Sequence, residues 1–262
     1  MAKTDDEFSG ISEDDRIKHE QDFYNNDEWK KDRSYLHKYY SIFTEKRGPS
    51  VLRNAIVEKS ASPETTVFLD YGCGDGEYLM KISEKIKTGI GIDISKKEIE
   101  IAEKKRSSKD IRNICFYVMN AIHTNFSDAT FDIIHGNSIL HHLDLEKSLC
   151  EIKRILKKEG TAVFVEPLSI NPVIELYRKL TPNIRTPDEQ PFRRRELKII
   201  KKYFPNLEIQ YFGCFTLLAV IIRKSKYFHK ILDALYRIDG VFLGAGSPFK
   251  LFAWVCVLQL KK

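Results

Sequence analysis

Three glycines on alternate positions, Gly72, Gly74 and Gly76, lie between the apolar run VFL and the helix-favouring EYLMKI, in the stretch Asp70-Tyr-Gly-Cys73-Gly-Asp-Gly76. A strand that ends in glycines and feeds a helix makes a nucleotide-type site. Missing side chains let a ligand approach the backbone, and the helix start offers unpaired N–H groups. Spacing narrows the ligand. A dinucleotide fingerprint, Gly-x-Gly-x-x-Gly, needs its third glycine at a position that is Glu77 here. A triphosphate loop ends in Gly-Lys-Ser/Thr, and Gly76-Glu77-Tyr78 does not supply it. Further along, Asp93 closes the run TGIGID, His141 and His142 follow FDIIHGNSIL, and Glu166 closes TAVFVE. Histidine titrates nearest neutral pH and is the natural general base there. A carboxylate such as Glu166 could orient a substrate or accept a proton.

The elements that must hold these residues are legible from the apolar pattern. Strands are expected at 66–71, 88–94, 114–119, 131–135 and 161–165. Helices are expected at 76–87, at 96–107 behind the N-cap Ser95, and at 145–157. Five apolar strands alternating with helices predict parallel pairing through right-handed crossovers, with both sheet faces covered. The alternation then breaks. Residues 167–192 hold five prolines and read as an irregular or part-helical insertion. A helix at 193–203, a sixth strand at 207–212 and a last strand at 253–260 follow.

With these motifs in place, the chain resembles the class I S-adenosylmethionine-dependent methyltransferases, in particular their small-molecule and ubiquinone/menaquinone-type group. VFLDYGCGDGEYL matches the family's Asp/Glu-x-Gly-x-Gly-x-Gly motif, Asp93 its acidic end of strand two, and LKKEGTAVFVEP its last shared motif. The resemblance covers roughly residues 65–167. It implies an α/β, Rossmann-like, seven-stranded, mostly parallel sheet with helices on both faces, an N-terminal helical lid and a helical insertion before the last strand. It also implies S-adenosyl-L-methionine as cofactor and S-adenosyl-L-homocysteine as product. Asp70, Gly72, Cys73, Gly74 and Gly76 would line the methionine part, and Asp93, with Ile94 beside it, would accept the ribose hydroxyls. Asn120-Ala121 stands where the family usually has Asp-Ala, so Asn120 would accept from adenine through its side-chain carbonyl. Asn137 would touch the methionine moiety. No metal is implied. The expected catalytic residues are His142, His141 and Glu166, whereas His135, inside a strand, reads as structural. The expected reaction is O-, C- or N-methylation of a small or lipophilic acceptor. The alternatives are an RNA or protein methyltransferase, or a non-catalytic binding subunit.

The chain has 262 residues, 42% hydrophobic and 31% charged, which suits a soluble α/β domain with additions. The organisation expected is an acidic arm at 1–28, disordered or partly helical, and a single methyltransferase domain at 29–262. That domain divides into N-terminal helices at 29–62, a cofactor core at 65–167, substrate-side insertions and cap at 168–250, and a final strand at 251–262. Tyr35, Tyr39 and Tyr40 lie on N-terminal helices that the resemblance would fold over the cofactor as a lid, or that core packing explains; Arg185, Asp188 and Glu189 are secondary substrate candidates or surface-loop residues. The five cysteines form no CxxC pair, which argues against a zinc site or disulfide framework. The opening residues are polar, unlike a secretory leader, so a cytoplasmic location is expected. The apolar run Tyr211–Ile222, followed by Arg223, Lys224, Lys226 and Lys230, reads as an internal cap or as a patch meeting anionic membrane. The net charge of +6 admits either. Nucleic acid is disfavoured: Arg193-Arg194-Arg195 is basic, but no RNA-binding module surrounds it. No obligate protein partner is evident.

Overall fold

The computed structural model describes residues 13–26, 48–180, 191–222, 224–244 and 246–262. The strands are β1 Val67–Tyr71, β2 Thr88–Asp93, β3 Ile114–Val118, β4 Phe131–Asn137, β5 Leu156–Pro167, β6 Glu208–Phe212 and β7 Val255–Lys261. They form one sheet in the order β3-β2-β1-β4-β5-β7-β6. Pairs among β1 to β5 are parallel, and β7 runs antiparallel to both β5 and β6. This is the mostly parallel seven-stranded α/β architecture expected from the sequence. The helices are α1 Glu13–Asn25, α2 Pro49–Ser60, α3 Glu77–Ile82, α4 Lys96–Ser108, α5 Leu145–Ile155, α6 Pro172–Leu180, α7 Arg194–Tyr203 and α8 Phe228–Phe242.

Alternating strand side chains divide between two cores, as the two-residue period of a strand requires. Phe68, Ile133, Val163, Val165 and Val257 pack with Val57 of α2, Leu79 and Ile82 of α3, and Ile99 of α4. Leu69, Tyr71, Ile134, Phe164 and Leu258 pack with Leu149, Ile152 and Ile155 of α5, and Leu197 and Ile200 of α7. The chain runs from β1 outward to β2 and β3, then returns to place β4 on the other side of β1. That reversal opens a crevice at the carboxyl ends of β1 and β4, where open α/β sheets bind ligands.

Several boundaries differ from the sequence expectation for local reasons. Helix α3 stops at Ile82 and passes into a 3-10 turn, Ser83–Lys85, and the Ser83 hydroxyl donates to the Met80 carbonyl at 2.8 Å. Strand β5 begins at Leu156 opposite Phe131, breaks register, and resumes at Thr161 opposite Ile133. Glu159, at φ 63°, lies within this irregular stretch, which behaves as a bulge. The apolar run 211–222 divides at Gly213 into the end of β6 and a 3-10 segment, Phe215–Ile222. Part of the expected acidic arm is helix α1. Tyr35, Tyr39, Tyr40, Arg185, Asp188 and Glu189 lie outside the described residues.

Ile134 is fully buried at the centre of the sheet. Ile134→Ala is expected to lower unfolding free energy by about 2–5 kcal/mol. In urea denaturation this reads as a lower midpoint with an unchanged slope.

Candidate active site

The glycine loop is built from left-handed backbone. Gly72, Gly74 and Gly76 have φ of 76°, 50° and 74°, a region that L side chains disfavour. Two of the three are also enforced by packing. A Cβ on Gly72 would lie 2.8 Å from Ile139, and one on Gly76 would lie 2.5 Å from Phe116. A Cβ on Gly74 would meet nothing within 4 Å. The middle glycine thus borders open space while its neighbours are fixed by the fold. The Gly72 and Cys73 N–H groups both donate to the Ile92 carbonyl at 2.9 Å, which ties the loop to β2. Burial drives the Cys73 thiol well above its ordinary value, so Cys73 is a packing residue here.

Asp93 stands at the end of β2. Its Oδ2 accepts from Gly74 N–H at 2.8 Å and its Oδ1 from Ser95 N–H at 2.9 Å. Burial pushes its carboxyl up to about 6, against the pull of those two donors. One hydrogen bond per oxygen leaves each oxygen a further acceptor direction. Ile94 follows, half-buried. The Tyr71 hydroxyl donates to the Ala121 carbonyl, tying the end of β1 to the segment after β3. There Asn120 is half-buried, with Oδ1 accepting from Ile122 N–H at 3.1 Å. Asn137 is exposed at the end of β4.

Asp70 is buried, and its Oδ1 lies 2.7 Å from His135 Nδ1. Burial lowers the His135 imidazolium below its ordinary range, even against the attraction of Asp70. A neutral ring facing an acceptor carries its proton on Nδ1. Tyr78 stacks on His135 at 3.9 Å, and the Arg53 guanidinium lies 4.3 Å from the Tyr78 ring centroid. Asp70 Oδ2, His135 Nε2 and the Tyr78 hydroxyl are buried with no partner among the described residues.

Two histidine–carboxylate pairs stand side by side after β4, in the 3-10 turn Leu140–His142. Glu166, fully buried, accepts at Oε1 from Ile139 N–H (3.0 Å) and Leu140 N–H (2.9 Å), and its Oε2 lies 2.6 Å from His141 Nδ1. Both oxygens are therefore committed to holding the turn. The His142 Nδ1 faces Glu20 Oε1 of α1 at 3.1 Å, and its Nε2 faces the Tyr24 hydroxyl at 3.3 Å. The two imidazole centroids are 4.2 Å apart. Arg16 Nη2 donates to the His142 carbonyl at 2.7 Å. At the other end of α1, the Asn25 side-chain carbonyl accepts from Ser95 Oγ at 2.8 Å, two residues beyond Asp93. Helix α1 thus links the Asp93 loop to the histidine turn. The sequence reading missed Arg16, Glu20 and Tyr24. Their spacing of four residues puts them on one helix face, which is the signal that could have found them.

The fold brings the glycine loop, Asp93 and the 138–142 turn to one sheet edge, with Ile139 packed against Gly72. His135 lies apart from the other two histidines, on the face of the sheet that carries Phe68. Residues 69–164 match the family model described as a methyltransferase domain. The chain is 32% identical over 99 residues to the uncharacterized methyltransferase YcgJ of Bacillus subtilis, covering 37% of this chain and 39% of that protein. It is 31% identical over 115 residues to the demethylmenaquinone methyltransferase of Lactococcus lactis, covering 42% and 45%. The matched stretch thus spans less than half the length of these relatives. Geranyl diphosphate C-methyltransferase of Streptomyces coelicolor superposes with a TM-score of 0.58 at 16% identity, over 81% of this chain and 78% of that one. Residues 69–164 are thus similar to a methyltransferase domain, and the chain shares its fold with a solved methyltransferase.

The contrast among the glycines is testable. Gly74→Ala is expected to cost only the left-handed backbone penalty, about 1–2 kcal/mol, while it fills the open space and weakens ligand binding. Gly76→Ala adds a clash with Phe116 and is expected to lower the Tm further. Thermal unfolding and calorimetric titration with S-adenosylmethionine separate the two effects.

Proposed function

We propose that this chain transfers a methyl group from S-adenosylmethionine to a small or lipophilic organic acceptor, at O, C or N, with His142 as general base. The observation that carries the base assignment is the closure of Glu20 and Tyr24 on His142 from helix α1. When bound, the cofactor supplies an electrophilic sulfonium methyl. The residues present fit it. Open space lies over Gly74, Asp93 retains acceptor directions suited to a pair of ribose hydroxyls, and the orphaned Asp70 Oδ2 is an acceptor that an ammonium group would satisfy. Asp70, Gly72, Cys73, Gly74, Gly76, Asp93, Ile94, Asn120, Ala121 and Asn137 would hold it.

On the protein side, an ionised Glu20 only accepts, so it fixes the His142 proton on Nδ1 and leaves Nε2 as the basic atom. Glu166 does the same for His141, and by anchoring Ile139 and Leu140 it acts as a positioning residue. The cleft edge would orient the acceptor and exclude water, from which most of the rate gain is expected. A lipophilic acceptor resides in lipid, so peripheral contact with an anionic membrane belongs to the same proposal. Among the described residues, no helix is long and apolar enough to cross a membrane.

Asp93 must be ionised to accept two hydroxyls. Because burial pushes its carboxyl up to about 6, cofactor affinity is expected to fall as the pH drops through that value. Asp93→Asn is expected to bind weakly and without that pH dependence, as read by calorimetry. His142→Ala is expected to leave cofactor affinity near wild type and to cut transfer of labelled methyl into a lipid extract by about 10²–10⁴-fold. Glu20→Gln removes a negative charge that favours the imidazolium. The acid limb of the rate profile is then expected to move to lower pH, a shift that a purely structural role would not produce.

A further inference from the structure

Helix α8 presents apolar residues on both its inner and its outer side. Phe228, Leu232 and Leu243 are buried, the first two in a small cluster with Ala219. Asp239, also buried, fixes the helix by accepting from the N–H groups of Cys214, Phe215 and Thr216 and from the Thr216 hydroxyl. This anchoring holds the other side outward. Tyr227, Ile231, Ile238 and Val241 are exposed there, Val241 at 77%. Their separations of four, seven and three residues place them on one stripe. Leu218 of the 3-10 segment, and Phe249 and Phe252 of the following 3-10 turn, Pro248–Phe252, are exposed as well.

Charge identifies the occupant. Residues 213–252 contain Arg223, Lys224, Lys226, Lys230, Arg237 and Lys250, against Asp233 and Asp239 alone, and Asp239 is buried. Lys224, Lys226, Lys230 and Arg237 are all exposed. A helix with an apolar face and basic flanks is suited to lie in a membrane interface, with its apolar residues among acyl chains and its cations at anionic headgroups. A second copy of this chain would bring the same basic rim against itself, which disfavours a self-interface.

We propose that the outer stripe of α8 is a docking surface for an anionic lipid bilayer. The proposal rests on the reading of the acceptor as lipophilic and names the surface that would bring the enzyme to it.

The test uses the full chain with phosphatidylcholine vesicles, with and without phosphatidylglycerol, and measures co-sedimentation at two salt concentrations. Wild type is expected to bind the anionic vesicles at least about tenfold more tightly than the neutral ones, and less so at high salt. I238E with V241E, and separately K230E with R237E, are expected to lose that binding while keeping calorimetric affinity for S-adenosylmethionine. Lys230 and Arg237 are both exposed, so the charge-reversed pair guards against misfolding of the apolar pair. Equal binding to both vesicle types, no binding by wild type, or undiminished binding by both variants overturns the proposal. So does concentration-dependent dimerisation that either pair abolishes without vesicle binding. Loss of vesicle binding with cofactor affinity intact supports the docking surface, whereas failure of wild type to bind the cofactor overturns the methyltransferase reading instead.

Discussion

A fully buried carboxylate governs the geometry of the candidate site. Glu166 has no exposed surface, and a polar group buried there is strongly unfavourable unless hydrogen-bond partners surround it. Two backbone N–H groups and the His141 ring meet that requirement. The bonds cross from β5 to the turn that follows β4, so the carboxyl ends of two adjacent strands are locked at a fixed separation. Ser138, at φ 56°, and Ile139, pressed against Gly72, occupy places that this lock dictates. Removing the carboxylate would free the histidine turn and loosen the wall of the glycine loop.

The half of the candidate site proposed to hold the cofactor is local in character. Gly72, Gly74 and Gly76 are forced by their own φ values, and Asp93 receives Gly74 N–H across adjacent strands. Such features leave a spacing in the sequence, which is why the loop, the strand alternation and the seven-stranded sheet are legible in it. Strand ends were harder. The long β5 depends on a register break opposite β4, and the short α3 on one serine hydroxyl. Neither follows from periodicity.

The half proposed to face the acceptor is assembled from distance. Glu20 and His142 are separated by 122 positions, and Tyr24 and His142 by 118. Before folding, the first residues of α1 read only as acid-rich chain, because nothing nearby shows what Glu20 will face. The role of Glu166 was obscured in the same way. Its place at a strand end suggested a group open to substrate, whereas the fold turns both its oxygens inward. The apolar run 211–222 and the cations after it were visible in the sequence, but only the anchoring of Asp239 decides which side of α8 faces out.

The contact between Tyr24 and His142 has a kinetic consequence. At 3.3 Å, the phenol oxygen takes the position at Nε2 that an acceptor hydroxyl would need. In the proposed reaction, an incoming alcohol or phenol does not enter a bare site but exchanges with a hydroxyl already in place. Recognition then becomes a comparison between two similar oxygens, and the enzyme's own tyrosine sets the threshold that a productive acceptor must exceed.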